Sequence, residues 1–404
     1  MTVRTIAALS LALVLIPGAA LAQASGAACQ GGKSFEAWLE DFKAEARAQG
    51  ISDRTLTAAA PDMRFDPAIV GKDRGGQSVF TQSFVQFSDR MANSNRLQTG
   101  RAKIKANAQT FARIKQEFGV PAGVLTAYWG LETDFGGFLG NGNTISSVTT
   151  LAYDCRRPDM FRGELLALLK IIERGDLKPS DMRGPWAGEL GQFQFLPRHY
   201  IDFGLDYDGD GHVDLIRSDA DALGSAANYI RHLGWRPGEP WLVEVRIPKN
   251  FPWERSGLDI ELPAEELRSL GVTRADGQPL PDLPASVHVP QGRHGPQFLA
   301  YANFKNVYLT WNHSLIYSTT AAYLATRLEG APAMSKGDGT PDLDANGVKE
   351  VQRLLQQKGH DVGKIDGVIG AGTRAAVRKE QLRLGLPADS YPDGELLSAL
   401  RAGR

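Results

Sequence analysis

Net charge is almost absent from this chain of 404 residues, in which 45 lysines and arginines face 46 aspartates and glutamates for a formal balance of -1. Such a balance gives no field strong enough to capture nucleic acid or an anionic membrane by electrostatics alone. Partners must be recognised by shape and by specific groups. Long apolar runs are missing as well: beyond the N-terminus no segment approaches the ~20 apolar residues that a helical membrane span needs. Cysteine is scarce, with only Cys29 and Cys155. In an oxidising compartment a single pair reads most simply as one disulfide, and a loop of that length adds up to ~5 kcal/mol in the chain-entropy model. The alternative, lipid attachment at Cys29, is disfavoured because Gly26-Ala-Ala precedes it where a lipoprotein signal wants a leucine.

What is present begins with Met1-Thr-Val-Arg-Thr-Ile, an apolar run from Ala7 to Ile16, and Pro17-Gly-Ala-Ala-Leu-Ala22. Charge, apolar core and small-residue end make this a secretory signal, residues 1–22, cleaved after Ala22. The mature chain is therefore expected to be exported and soluble, with no transmembrane segment. Its length implies two or three domains.

Helical periodicity dominates to about residue 235. Phe35, Trp38, Leu39 and Phe42 recur at helical spacing between Ser34 and Gly50, Ile51-Ser-Asp-Arg starts a second helix with its cap, and Arg101–Phe118, Pro121–Glu132 and Met160–Arg174 carry the same pattern. Near Pro240 the character changes. Trp241-Leu-Val-Glu-Val-Arg-Ile alternates like a strand, and prolines and glycines multiply through Gly295, which predicts a small β-containing insertion. After Tyr308–Tyr317 an alanine-rich helix runs to about Glu329. Residues 330–346, small, polar and rich in breakers, read as a linker.

Residues 347–402 form a compact module. Gln352, Asp366, Gly367, Gly370, Thr373, Ala376, Val377 and Gln381 fall on the signature V-x-x-x-Q-x-x-L-x-x-x-G, D-G-x-x-G-x-x-T, A-V-x-x-x-Q. The module thereby resembles the peptidoglycan-binding domain of the first kind, a three-helix unit. A helical oligomerisation module is the alternative, but it has no use for that two-part turn signature.

Chemistry centres on Glu132, in Tyr128-Trp-Gly-Leu-Glu-Thr-Asp-Phe-Gly136. A carboxyl beside Tyr128, Trp129 and Phe135 is expected in a poorly hydrated pocket, where burial raises its pKa. That suits a general acid. Residues 34–329 resemble the lytic murein transglycosylase B family, through Phe80-Thr-Gln-Ser-Phe, Gly130-Leu-Glu-Thr, Arg156-Arg157, Ala187-Gly188 with Gly191–Pro197, Gly209-Asp-Gly-His, Gly224-Ser-Ala-Ala-Asn-Tyr229 and Asn312-His-Ser. The resemblance implies an α+β, mostly α fold: a lysozyme-like catalytic core with the β insertion, followed by the C-terminal module. It also implies cleavage, in the periplasm, of the β-1,4 bond between N-acetylmuramic acid and N-acetylglucosamine of peptidoglycan glycan strands. No water is consumed and 1,6-anhydromuramoyl ends are left.

In that reading Glu132 is the sole catalytic acid and base, no cofactor is needed for catalysis, and the chain acts as a monomer. A second protein carboxylate is not obligatory when the substrate's N-acetyl group assists. Asp134 points away along the helix, whereas Glu189 is the more credible rival acid. Gln194 matches the family glutamine of the cleft, though a glutamine in a glycine-rich turn also bonds readily to backbone. Gly188 and Gly191 permit close approach to sugar or, equally, helix packing. Asn312 and Tyr317 match positions near the active glutamate, and Trp186, Phe195 and Trp311 offer faces for stacking or serve as core. Arg156 and Arg157 match an arginine pair for a lactyl or peptide carboxylate, or form a solvated pair tied by Cys155. Pro185, Met160 and Phe87 depart from the family pattern and remove hydroxyl groups from the expected cleft. Two other readings stay open: a hydrolase of lysozyme type, and a non-catalytic wall-binding scaffold.

Asp206-Tyr-Asp-Gly-Asp-Gly-His-Val-Asp214 sets carboxylates at loop positions 1, 3, 5 and 9, a glycine at 6 and the His212 carbonyl at 7, an arrangement suited to structural Ca²⁺. Position 12 is Arg217, so Asp219 or Asp221 would have to complete the shell. Without that, Asp206, Asp208 and Asp210 are an acidic surface turn.

Overall fold

A computed structural model describes residues 28–75 and 82–403. The expected signal peptide, with Phe80 and Thr81 of the family-like segments, lies outside them. No helix of the described residues is long and apolar enough to cross a membrane. The chain divides into two compact units. One takes in the chain up to Gly75, Gly140–Leu190 and Phe195–Asp202; the other takes in Gly76–Leu139, Gly191–Gln194 and Phe203–Arg404.

In the first unit the helix Phe35–Ala48 starts where the Ser34 side chain accepts the Ala37 N–H, and it buries Phe35, Trp38, Phe42 and Ala46 along one stripe. Tyr153, the last residue of the buried helix Thr144–Tyr153, meets Phe35 edge to face at 5.4 Å and Trp38 at 5.5 Å. The Cys29–Cys155 disulfide closes beside this cluster, with the two Cα atoms 5.5 Å apart. The expected Met160–Arg174 helix starts two residues earlier, with Pro158 in its first turn.

In the second unit the Arg101–Phe118 stretch is two helices, Ser94–Ala106 and Ala108–Phe118, which meet at Asn107 (φ -105°, ψ 29°), whose backbone N–H and side-chain amide both donate to the Lys103 carbonyl. Helix α1 (Ala122–Thr133) is buried along nearly its whole length. Helix α2 spans Asp219–His232. Strands β1 (Leu242–Arg246), β2 (Thr273–Arg274), β3 (Ser286–His288) and β4 (Phe298–Ala300) pair antiparallel in the order β2-β1-β4-β3. They cover a core that includes Val245, Trp253, Leu267, Val287 and Leu299. Helix α3 (Leu315–Leu328) follows, capped by Ser314.

Helices α1 and α3 lie antiparallel and close. A Cβ on Gly123 would stand 2.9 Å from the Ala325 carbonyl, so only glycine lets the backbones approach there. Glu329, just past α3, accepts the Gly123 N–H at 2.6 Å and sets a negative charge at the start of α1. At the opposite ends Glu132 and Tyr317 meet.

The stretch read as a linker is laid down as a strap. Met334 is buried, the Ser335 N–H donates to Glu244 at 2.7 Å, Lys336 pairs with Asp89 at 2.6 Å and Asp338 with His294 at 2.7 Å. Composition made these residues poor helix formers but did not reveal their distant partners. The terminal module comprises α4 (Ala345–Gln357), α5 (Ala371–Leu384) and α6 (Gly394–Arg401) around Val351, Leu355, Val377 and Leu396. Its signature glutamines are internal latches. Gln352 accepts the Gly367 N–H and donates to the Val368 carbonyl, and Gln381 donates to Asp389 and to the Tyr391 carbonyl. Arg293 of the sheet region reaches Asp393 at 2.9 Å and Glu395 at 3.0 Å, and Arg378 of α5 donates to the Ser256 carbonyl at 2.8 Å. The module is thus docked on the sheet region.

Buried Glu380 in α5 has Arg383, His360 and Lys358 within 2.6, 3.3 and 3.5 Å. The Arg383 hydrogen bond leads in holding its pKa down to about 2 from 4.5, against the upward push of burial. A depressed carboxylate stabilises the fold above its unfolded pKa and loses that contribution as pH falls through the folded one. Denaturant titrations should therefore show Glu380 contributing up to ~3 kcal/mol above about pH 4.5, less after screening around half-exposed Arg383, and vanishing toward about pH 2. In Glu380→Gln that portion of the acid slope should be missing.

Candidate active site

Glu132 sits in the last turn of α1, half-buried. Its Oε1 accepts two hydrogen bonds, from Trp311 Nε1 at 3.0 Å and from the Tyr317 hydroxyl. Two donors are thus aimed at the carboxyl group, and the aromatic residues Tyr128 and Trp129 that precede it on the helix are fully buried. Trp311 is placed by an uncommon piece of backbone: a π-helical turn, Phe304–Tyr308, leads into the short helix Leu309–Trp311. Its ring stacks on Tyr128 at 4.2 Å, one turn before Glu132, and lies 5.4 Å from Tyr229. Tyr317 comes from the first turn of α3. Burial first, and then the charge of Glu132 that its hydroxyl also bonds, push the Tyr317 pKa well above the ordinary tyrosine range. Tyr317 therefore stays a neutral donor at neutral pH.

The end of α1 is held by a turn unusual for side-chain-bearing residues. Asp134 (φ 52°) and Phe135 (φ 63°) are both left-handed, followed by Gly136 at φ 81°. Asp134 turns to solvent and pairs with Arg96, away from Glu132, while the Phe135 ring packs edge-on against Trp129 at 5.8 Å. Gln192, which sequence reasoning passed over, fastens this turn. Its Oε1 accepts Trp129 Nε1 at 2.7 Å, its Nε2 donates to Asp219 at 3.1 Å, and its carbonyl accepts the Thr133 hydroxyl at 2.7 Å. A Cβ at Gly136 would stand 2.7 Å from Gln192 Oε1. The only signal in the sequence was its place in the glycine-rich segment beside Gln194.

Other expected residues have mixed surroundings. Gln194, at φ 52°, donates its amide to the Gly191 carbonyl at 2.9 Å, the backbone bond weighed above. The Asn312 carboxamide oxygen accepts the Ser314 N–H at 2.8 Å, a local turn just ahead of the Ser314 cap of α3. Arg156, Arg157, Trp186, Gly188 and Glu189 belong to the first unit. There Arg156 and Arg157 both bond buried Asp73, while each side chain keeps an exposed portion. Gly188 has a packing reason, since a Cβ would stand 2.4 Å from Val148. Trp186 is half-buried. Burial raises the Glu189 pKa, and its Oε2 is a buried atom with no hydrogen-bond partner.

In the 206–214 loop, carboxylate oxygens of Asp206, Asp208 and Asp210 lie within 4.8 Å of one another, all exposed. Asp206 also accepts the N–H groups of Gly209, Asp210 and Gly211, which shapes the loop. Asp221 does a different job from the one expected. It is buried, and its two oxygens accept the N–H groups of Tyr207, Asp208 and Asp214, which pins the loop to the start of α2. Asp219 is bonded to Gln192. The donor set that fits a hard cation is therefore the three aspartates Asp206, Asp208 and Asp210, short of a bidentate final ligand.

One glutamate at the end of a buried helix, in a mostly helical body with a small sheet, is the arrangement of lysozyme-like proteins that act on glycans. The family model described as Transglycosylase SLT domain matches residues 34–326, and that described as Putative peptidoglycan binding domain matches residues 344–400. The chain belongs to the lytic transglycosylase B family. The membrane-bound lytic murein transglycosylase B of Escherichia coli (strain K12) is 32% identical over 162 residues, 40% of this chain and 44% of that relative, so the match spans less than half of its length. SltB3 from Pseudomonas aeruginosa, solved in complex with NAG-anhNAM-pentapeptide, is 38% identical with a TM-score of 0.82, over 92% of this chain and 100% of that one. The Escherichia coli lytic transglycosylase Slt35, solved in complex with calcium, shares the fold at 24% identity and a TM-score of 0.62, over 72% of this chain and 92% of that one.

A hydrogen bond to a charged group contributes ~1.5–3 kcal/mol. Tyr317→Phe is accordingly expected to lower kcat roughly ten- to hundredfold with KM little changed. A matching drop in thermal stability would mark the hydroxyl as structural instead.

Proposed function

We propose that the chain cleaves the β-1,4 bond between N-acetylmuramic acid and N-acetylglucosamine of peptidoglycan and leaves 1,6-anhydromuramoyl ends. The observation that carries this is the grip of Trp311 and Tyr317 on Glu132 Oε1. With two donors engaging Oε1, the transferable proton of the acid form is carried on Oε2. Glu132 gives that proton to the leaving glycosidic oxygen as the C1–O bond breaks. The resulting carboxylate then accepts the proton of the muramoyl C6 hydroxyl while that oxygen bonds C1, so the acid is restored and no water is used. Neutral Tyr317 donates in both states. SltB3, captured with an anhydro-muramoyl ligand, supports this reading over hydrolysis.

Gln194, Asn312, Trp186 and the backbone at Gly188 are proposed to bind the sugar N-acetyl and ring groups, and Arg156 and Arg157 a lactyl or peptide carboxylate. Residues 34–329 would be the catalytic body and 347–402 the wall-binding module, which raises local concentration on the insoluble substrate. Export to the periplasm by cleavage after Ala22 is supported by the Cys29–Cys155 disulfide, which suits an oxidising compartment. The protein is taken to act as a monomer. Ca²⁺, which Slt35 holds in its solved complex, would be bound here by Asp206, Asp208, Asp210 and the His212 carbonyl. Its contribution would be rigidity of the loop that leads into α2.

Mass analysis of soluble products from purified sacculi should show anhydro ends from the parent and none from Glu132→Gln; reducing ends would favour the hydrolase, and equal clearance by the variant the scaffold. Calcium at a hundred times its Kd should stabilise the chain by ~2.7 kcal/mol, a rise of several degrees in melting temperature. That rise should be absent in Asp208→Asn/Asp210→Asn and reversed by chelator.

A further inference from the structure

A void in the second unit lies away from Glu132, which is not among its lining residues. A cavity of about 1030 Å³ opens between β1, the C-terminal half of α3 and the strap Ala331–Asp338. Along α3, Thr326 on its wall is nine residues from Tyr317, roughly 14 Å at the helical rise. The walls are largely apolar, with Trp241, Leu242, Phe298, Tyr323 and Met334. Their polar groups are mostly spoken for. Trp241 Nε1 donates to the Ala322 carbonyl, Glu244 accepts the Ser335 N–H, Arg274 bonds Asp276, and Arg293 is held by the terminal module. Two lining cations are different. Arg246 and Lys249 are exposed at this cavity and make no hydrogen bond or ion pair among the described residues. Arg246 shares a face of β1 with Leu242 and Glu244 by strand alternation, and its charge acts on Glu244, whose carboxyl is already engaged by the Ser335 N–H.

A neutral N-acetylglucosamine chain offers no charge to two cations that hold no hydrogen bond, whereas the peptide stems it carries end in carboxylates and are rich in alanine. We propose that this cavity is a second substrate-binding site, which takes a peptide stem of peptidoglycan with its carboxylate on Arg246 and Lys249 and its methyl groups against Trp241, Leu242 and Tyr323. This rests on the glycan-cleaving reading given above for the physiological source of the peptide. The binding itself is independent of cleavage. A stem held here would keep the enzyme on the wall between cuts without occupying Glu132, and it would favour peptide-bearing over bare strands.

The test is calorimetric titration of the full chain with the free pentapeptide L-Ala-γ-D-Glu-L-Lys-D-Ala-D-Ala and with its C-terminal amide. The parent should bind the acid at one site and the amide roughly tenfold more weakly. The Arg246→Glu/Lys249→Glu variant should lose affinity for the acid roughly tenfold or more, while it releases products from peptide-free glycan at the parent's rate. The proposal is overturned if that variant binds the pentapeptide as tightly as the parent does, or if the parent shows no binding at millimolar peptide. It is equally overturned if binding survives the reversal and disappears in Arg156→Ala/Arg157→Ala. Failure of the parent to cut peptide-free glycan, with peptide binding intact, would count against the proposed reaction and leave this site standing.

Discussion

The close antiparallel contact of α1 with α3 is the constraint on which the site depends. At one end Gly123 has no side chain to hold the helices apart, and Glu329 caps the first turn of α1 across the gap. At the other end the same approach brings the Tyr317 hydroxyl onto Glu132. The distances run in step: Gly123 to Glu132 is nine residues of helix, and Tyr317 to Ala325 is eight. A displacement at the glycine end would be transmitted along two stiff rods to the carboxyl group, because packed interiors pass strain on rather than absorb it.

Around that pair the protein spends unfavourable local conformation to fix one side chain. Two consecutive left-handed residues follow Glu132, and a π-helical turn precedes Trp311. Both features are costly in isolation. They persist here because Gln192 ties Trp129, Thr133 and Asp219 together behind the turn, and because Trp311 is stacked on Tyr128. The result is a carboxyl group whose first oxygen has a defined task as acceptor, with an indole and a neutral phenol as its donors.

Much of this was legible in the sequence. Glu132 stood out because apolar and aromatic neighbours flank an acid near a helix end, and the helix from Pro121, the strand after Trp241 and the disulfide followed from periodicity and from having only two cysteines. The module's turn signature was readable for the same local reason: Gly367, at φ 80°, occupies a position that few other residues tolerate. What escaped depends on contacts far apart in the chain. Trp311 and Tyr317 reach Glu132 across 179 and 185 residues; the family resemblance put Tyr317 near the glutamate, but no local pattern separates an indole that stacks as core from one that also donates to a carboxylate. Gln192 was not singled out, the strap looked like a linker, and Arg156 and Arg157 hid their shared partner Asp73. Asp221 was read as a possible metal ligand from its spacing, yet the backbone N–H groups it caps occupy it.

The central claim is that a single carboxyl, held by an indole and a phenol, delivers the proton to the scissile bond. It is tested most directly by a crystal structure of Glu132→Gln with an uncleaved glycan strand bound. The account predicts the residue-132 side chain within hydrogen-bond reach of the glycosidic oxygen, roughly 2.6–3.2 Å, and still in contact with Trp311 and Tyr317. A strand bound with that oxygen beyond reach of residue 132 and beside another acid, such as Glu189, would contradict it.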